Sequence, residues 1–157
     1  MSDFRIDDLA RAPEFFDTVA DRIWREWHAP RGASLAGLRA RLEDNMSGQH
    51  LPKAFVARVG ATFLGTISLI SSDLDERPDL GPWAAALWVE PTARSLGVAA
   101  ALLDRALAAG LAIGAREVYL CAQARLAAFY LDRGWRLVET DVGPRALSVF
   151  RKSCAQE

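Results

Sequence analysis

Arg94-Ser95-Leu96-Gly97-Val98-Ala99 is the stretch whose residue types and spacing could hold a ligand. Arg94 is its only charge, and Gly97 and Ala99 have almost no side chain, so a ligand could approach the backbone closely. After Gly97, apolar residues recur at helical spacing: Val98, Leu102 and Ala106, with Leu103, Leu107 and Leu111 beside them. The first N–H groups of a helix have no acceptor within it and carry the positive end of its dipole. A phosphate group suits that place, and Arg94 adds a direct charge. The alternative is a strand-to-helix turn whose small residues serve packing alone.

Other residues that could do chemistry are few. Asp73, Asp75, Glu76 and Asp79 stand against Arg77 within 71–82, the longest break in regular pattern. Charge runs of this kind are commonly solvated loops. His28 and His50 are the only histidines, and neither has a metal or dyad pattern around it. Each reads as a solvated loop histidine. Cys121 and Cys154 are far apart and lack metal-ligand spacing. Cys121, inside an apolar strand, reads as a small buried hydrophobe.

The elements that must position these residues follow from periodicity. Phe4 to Leu9 is a short first strand. Pro13 suits the start of a helix whose stripe is Phe15, Val19, Ile23 and Trp27, with Phe16, Ala20 and Trp24 alongside. Asp17, Asp21, Arg22 and Arg25 fall on its polar side, and residues 28–32 end it. Ser34 caps a second helix carrying Leu35, Leu38 and Leu42. Residues 45–49 close it as a polar segment. Residues 54–59 and 62–70 are strands joined by a tight turn at Gly60-Ala61. The second of them is apolar on both faces and therefore central.

Trp83 to Val89 is the strand that enters the small-residue turn. Gly110 to Gly114 ends the helix after it. Glu117 to Ala122 is a strand, residues 123–133 a short helix stopped by Gly134, and residues 135–140 and 146–152 two closing strands. A frayed tail is expected over 153–157. The order is β-α-α-β-β-β-α-β-α-β-β, an α/β layer domain.

The totals bound the function. A chain of 157 residues, 51% hydrophobic and 25% charged, suits one domain, 1–157. A net charge of −1 supplies no field for nucleic acid or an anionic membrane. No segment approaches the ~20 apolar residues of a membrane span, and no secretory leader is expected. Both cysteines are expected to stay reduced in a cytoplasmic setting. Five tryptophans leave room for an apolar homodimer interface, or are accounted for by core packing.

Arg94-x-x-Gly97-x-Ala99 resembles the R/Q-x-x-G-x-G/A motif of the GCN5-related N-acetyltransferases, the GNAT superfamily. Val89-x-Pro91 before it and Leu102-Leu103 after it stand where that family has them. Residues 77–83 resemble a segment of one bacterial group. Residues 128–135 (Ala-Phe-Tyr-Leu-Asp-Arg-Gly-Trp) resemble the family's A-x-x-F-Y-x-x-x-G-F motif. Two departures stand out: Ser95 replaces the usual first glycine and Ala99 the last.

The resemblance implies a mixed, mostly antiparallel sheet flanked by helices, and an enzyme. It implies acetyl transfer from acetyl-CoA to a primary amine, by direct attack in a ternary complex. The backbone of Arg94, Ser95, Leu96, Gly97, Val98, Ala99 and Ala100 would hold the pyrophosphate. Leu87, Trp88 and Val89 would pair with the pantetheine arm. Tyr130 matches the family's general acid, though it also fits a helical apolar face. Glu90 and Asp79 are the candidate general bases, with Glu76 behind them. The acidic loop could then face a cationic acceptor, small molecule or peptide, and Trp24 or Trp27 could line its site. A non-catalytic acyl-CoA-binding sensor is the alternative, from which the retained Tyr130 separates an enzyme.

Overall fold

A computed structural model describes residues 3–48 and 50–155. Its strands are β1 (Arg5–Asp8), β2 (Lys53–Val59), β3 (Thr62–Ile70), β4 (Trp83–Val89), β5 (Glu117–Ala122), β6 (Arg136–Val142) and β7 (Leu147–Ser153). Its α-helices are α1 (Phe16–Ile23), α2 (Leu35–Leu42), α3 (Val98–Ala112) and α4 (Ala127–Leu131). The element order is the one the periodicity predicts. The strands form one sheet in the order β1-β2-β3-β4-β5-β7-β6. It is mixed and mostly antiparallel: β1–β2, β5–β7 and β6–β7 pair antiparallel, and β4–β5 pair parallel with Trp83 opposite Tyr119. Among the described residues no helix is long and apolar enough to cross a membrane.

The backbone divides into two compact units: residues 1–68 with 86–105, and residues 69–85 with 106–157. In the first unit the apolar stripe of α1 does what its spacing requires. Phe16, Val19, Ala20 and Ile23 are buried with Leu9, Phe15, Leu38, Leu42, Ala54 and Val56. Trp24 and Trp27 pack half-buried against that cluster. The helical run does not stay α through Trp27: residues 24–28 widen into a π-turn, and the Trp24 indole donates to Ala33 O at 2.8 Å. Ser34 caps α2 as expected, its hydroxyl accepting from Gly37 N.

In the second unit Leu74, Trp83, Val142, Leu147 and Val149 form one core cluster, with Tyr119 and Cys121 against it. β5 alternates as predicted: Val118, Leu120 and Ala122 are buried, while Tyr119 and Cys121 lie on the other face. The short helix after it is a 3-10 turn (Ala124–Leu126) followed by α4, stopped at Gly134 with φ +85°. The expected fraying does not begin at Ser153. That residue closes β7 opposite Glu117, and Cys154 is buried with its N–H on Arg116 O at 2.9 Å. Gln156 and Glu157 of that tail, and Gln49 of the polar segment, lie outside the described residues.

Candidate functional site

In the first unit the small-residue turn is built in three steps. Residues 91–93 form one 3-10 turn after β4, with Ala93 N–H on Glu90 O at 2.8 Å. Arg94 is extended, and Ser95 and Gly97 then take φ of +69° and +82°. Residues 94–97 are exposed, and Leu96 keeps 54% of its surface in solvent. A Cβ on Gly97 would meet nothing within 4 Å, so the space above this backbone is open. Ala101 N–H reaches Gly97 O at 3.1 Å. Val98, Ala99 and Ala100 precede it, where helix N–H groups have no acceptor of their own. The donors, the open cradle and Arg94 together fit an anionic group such as a pyrophosphate.

The positive φ at position 95 gives the departure from glycine a physical meaning. A left-handed residue with a Cβ costs roughly 1–2 kcal/mol, and Ser95 carries that strain in an exposed turn.

Leu87, Trp88 and Val89 lie half-buried at the end of β4, just past Ala86, which takes a left-handed φ of +54° within the strand. The Trp88 carbonyl lies so close to Gly65 of β3 that a Cβ there would stand 2.7 Å from it.

Glu90, one of the candidate bases, is fully engaged. Its Oε2 accepts from Arg22 Nε at 2.9 Å and from Trp88 Nε1 at 2.7 Å, and its Oε1 accepts from Arg22 Nη2 at 3.0 Å. The Arg22 hydrogen bond pulls the Glu90 carboxyl below its ordinary range, and Glu90 raises Arg22 in turn. A carboxylate so engaged is a poor proton acceptor. Arg22 also donates to Asp21, and Arg94 donates from Nε to Val89 O at 3.0 Å. The Arg94 guanidinium lies 5.0 Å from the centre of the Trp88 ring. The structure thus brings Trp88, Glu90 and Arg94 together. It adds Arg22, which the sequence marked only as a polar-face residue of α1.

The second unit carries Tyr130 and Asp79. Tyr130 is 8% exposed, and its contacts are aromatic: Phe129 edge-on at 5.0 Å, Phe150 at 5.5 Å and Trp135 at 6.5 Å. Burial, then the neighbouring Cys121, pushes its hydroxyl pKa up, against a smaller lowering by Arg133. It is therefore firmly protonated at neutral pH. Asp79 is exposed in a turn, as are Asp75 and Glu76 in the same loop. Arg77 is taken by Glu139, with Nε on Oε1 at 2.8 Å and a second bond to Oε2.

Cys121 is not a simple hydrophobe. Its thiol donates to Asp73 Oδ2 at 3.4 Å, and burial with that carboxylate pushes its pKa to about 12. His28 is half-buried, with Arg41 Nη2 3.5 Å from its Nδ1. Burial, then Arg41 and Arg31, lower its pKa.

Comparison with known proteins is consistent with this geometry. Residues 16–135 match the model of the Acetyltransferase (GNAT) family. No curated relative matches. An acetyltransferase from Streptococcus agalactiae superposes with a TM-score of 0.71 at 15% identity, covering 98% of this chain and 99% of its own. An aminoglycoside 6'-N-acetyltransferase complexed with coenzyme A gives 0.74 at 16%, covering 98% of each. Mutant forms of a spermidine/spermine N-acetyltransferase from Vibrio cholerae give 0.67 at 13%, covering 96% and 95%.

Proposed function

The chain belongs to the acetyltransferase (GNAT) family, and from that premise we propose that it is an acetyl-CoA-dependent N-acetyltransferase acting on a primary amine. The observation that carries the reading is the turn at 94–100. A cation, two left-handed residues and an open glycine lead there into a 15-residue helix. Bound acetyl-CoA supplies an acyl group already activated as a thioester. Arg94 and the N–H groups of Val98, Ala99 and Ala100 neutralise its pyrophosphate, with Ser95, Leu96 and Gly97 shaping the cradle. The backbone of Leu87, Trp88 and Val89 offers strand-like hydrogen bonds to the pantetheine arm.

Tyr130 is the proposed general acid: its raised pKa keeps the proton loaded until charge develops on the departing sulfur. Glu90, held by Arg22 and Trp88, serves to position rather than to take a proton. Of the loop carboxylates that remain, Asp79 is the proposed one to draw a cationic amine and receive its proton, with Glu76 behind it. Two structural relatives are named for aminoglycoside and spermidine acetylation, which supports a small polycationic amine as acceptor. The exposed acids of the 71–82 loop suit such a charge.

The test is a thermal-shift titration with acetyl-CoA, CoA and ATP, followed by release of free CoA thiol with spermidine or an aminoglycoside. A ligand at a hundred times its Kd stabilises by roughly 2.7 kcal/mol. A shift with acetyl-CoA and CoA but not ATP, then amine-dependent thiol release, is expected. No shift at millimolar acetyl-CoA overturns the reading. A shift without thiol release for any amine leaves the binding module and removes the enzyme.

A further inference from the structure

The contacts of the first unit form a continuous chain from α1 to the phosphate-facing turn. Arg22 grips the Glu90 carboxylate through two nitrogens, 2.9 and 3.0 Å away. The same carboxylate fixes the Trp88 indole through Nε1 at 2.7 Å. Arg94 lies over that ring, 5.0 Å from its centre, and is pinned through Nε to Val89 O. With Nε engaged and one face against the indole, Nη1 and Nη2 of Arg94 have no hydrogen-bond partner among the described residues and can meet an anion. A flexible arginine loses side-chain freedom when it binds phosphate, so holding it in place beforehand strengthens binding.

Resting on the pyrophosphate reading above, we infer that Arg22 is a positioning residue for Arg94, acting through Glu90 and Trp88. Its partner Glu90 lies 68 residues away in sequence. This assigns the Arg22–Glu90 pair to cofactor affinity rather than to proton transfer. The pair is half-buried, its side chains 29% and 20% exposed, so it is shielded enough to hold a geometry. The bidentate fork is what fixes orientation, and a lysine would supply charge without it.

Removing Arg22 also removes a positive charge, which by itself would weaken phosphate binding. A double-mutant cycle separates the two effects, because a through-space charge acts whether or not Arg94 is present. The probe is CoA, titrated by calorimetry into wild type, Arg22→Met, Arg94→Met, the double variant and Arg22→Lys. Arg22→Met is expected to weaken CoA binding about fivefold when Arg94 is present and less than about twofold when it is absent. Arg22→Lys falls between. The Trp88 indole N–H resonance, assigned by its loss in Trp88→Phe, is expected to shift in Arg22→Met. If Arg22→Met does not fold, Arg22→Lys carries the same cycle.

Equal losses in both Arg94 backgrounds, or unchanged affinity in Arg22→Met, overturn the relay. Wild-type protein that binds no CoA removes the pyrophosphate reading and the relay with it. Normal wild-type binding with a flat cycle removes the relay alone.

Discussion

The carboxylate of Glu90 and the guanidinium of Arg22 meet fork to fork, so the acid that ends β4 is neutralised by a cation on α1. The consequence for pH follows from the sign of the shift. Glu90 titrates below its ordinary value of 4.5 when folded. Its contribution to stability is therefore complete above that value and is lost as pH falls through the lower, folded value. Glu90→Gln is expected to flatten part of the acid limb of a plot of Tm against pH. The acid limb of the turnover profile, where a general base would titrate, is expected to stay where it is. An unchanged acid limb of Tm would contradict the paired carboxylate, and a large loss of turnover with its acid limb removed would return Glu90 to the role of base.

Gly97 and Gly65 should fail for different reasons. At Gly97 a side chain finds open space but an unfavourable φ of +82°. Gly97→Val is expected to lose roughly 1–2 kcal/mol of stability and to weaken CoA binding by filling the cradle. At Gly65 a Cβ would stand 2.7 Å from Trp88 O and 3.2 Å from Leu102 Cδ1. Gly65→Ala is expected to cost about 1–3 kcal/mol by overpacking. Chemical denaturation and calorimetry check both, and CoA affinity untouched by Gly97→Val would count against the cradle.

Tyr130→Phe keeps the ring among Phe129, Trp135 and Phe150 and removes only the hydroxyl. Stability is expected to change by less than about 1 kcal/mol. Turnover is expected to fall about a hundredfold, with acetyl-CoA affinity retained. A wild-type rate would end the proposed acid role.

Asp79 is exposed, so Asp79→Asn is expected to alter stability by no more than about 0.5 kcal/mol. Its proposed work appears in kinetics, as a higher acceptor KM or a lower kcat with unchanged acetyl-CoA affinity. If neither constant moves, the loop is a solvated connection and nothing more.

Cys121 is expected to resist alkylation. A thiol with a pKa near 12 supplies almost no thiolate at mildly alkaline pH, and Cys154 is buried with its pKa also raised. Iodoacetamide followed by mass spectrometry is expected to find neither cysteine modified in folded protein and both in denaturant. Rapid native labelling of Cys121 would contradict the burial and the Asp73 contact.

Much of this molecule was legible in its sequence because helices, strands and tight turns are set by neighbours a few residues apart. The stripe of Phe15, Val19 and Ile23 specified α1. Two-sided apolarity specified β3 as a buried strand, and Gly97 before an apolar repeat specified the start of α3. What local pattern does not encode is which charge meets which. Arg22 looked like any solvated residue on a polar helix face, and Glu90 like a free base beside a motif. Only the fold brings 68 residues of separation down to 2.9 Å. The same holds for Cys121, whose thiol meets Asp73 across 48 residues. Electrostatic pairing acts through space, so tertiary structure decided what each of these carboxylates is occupied with, and therefore which of them is left to do chemistry.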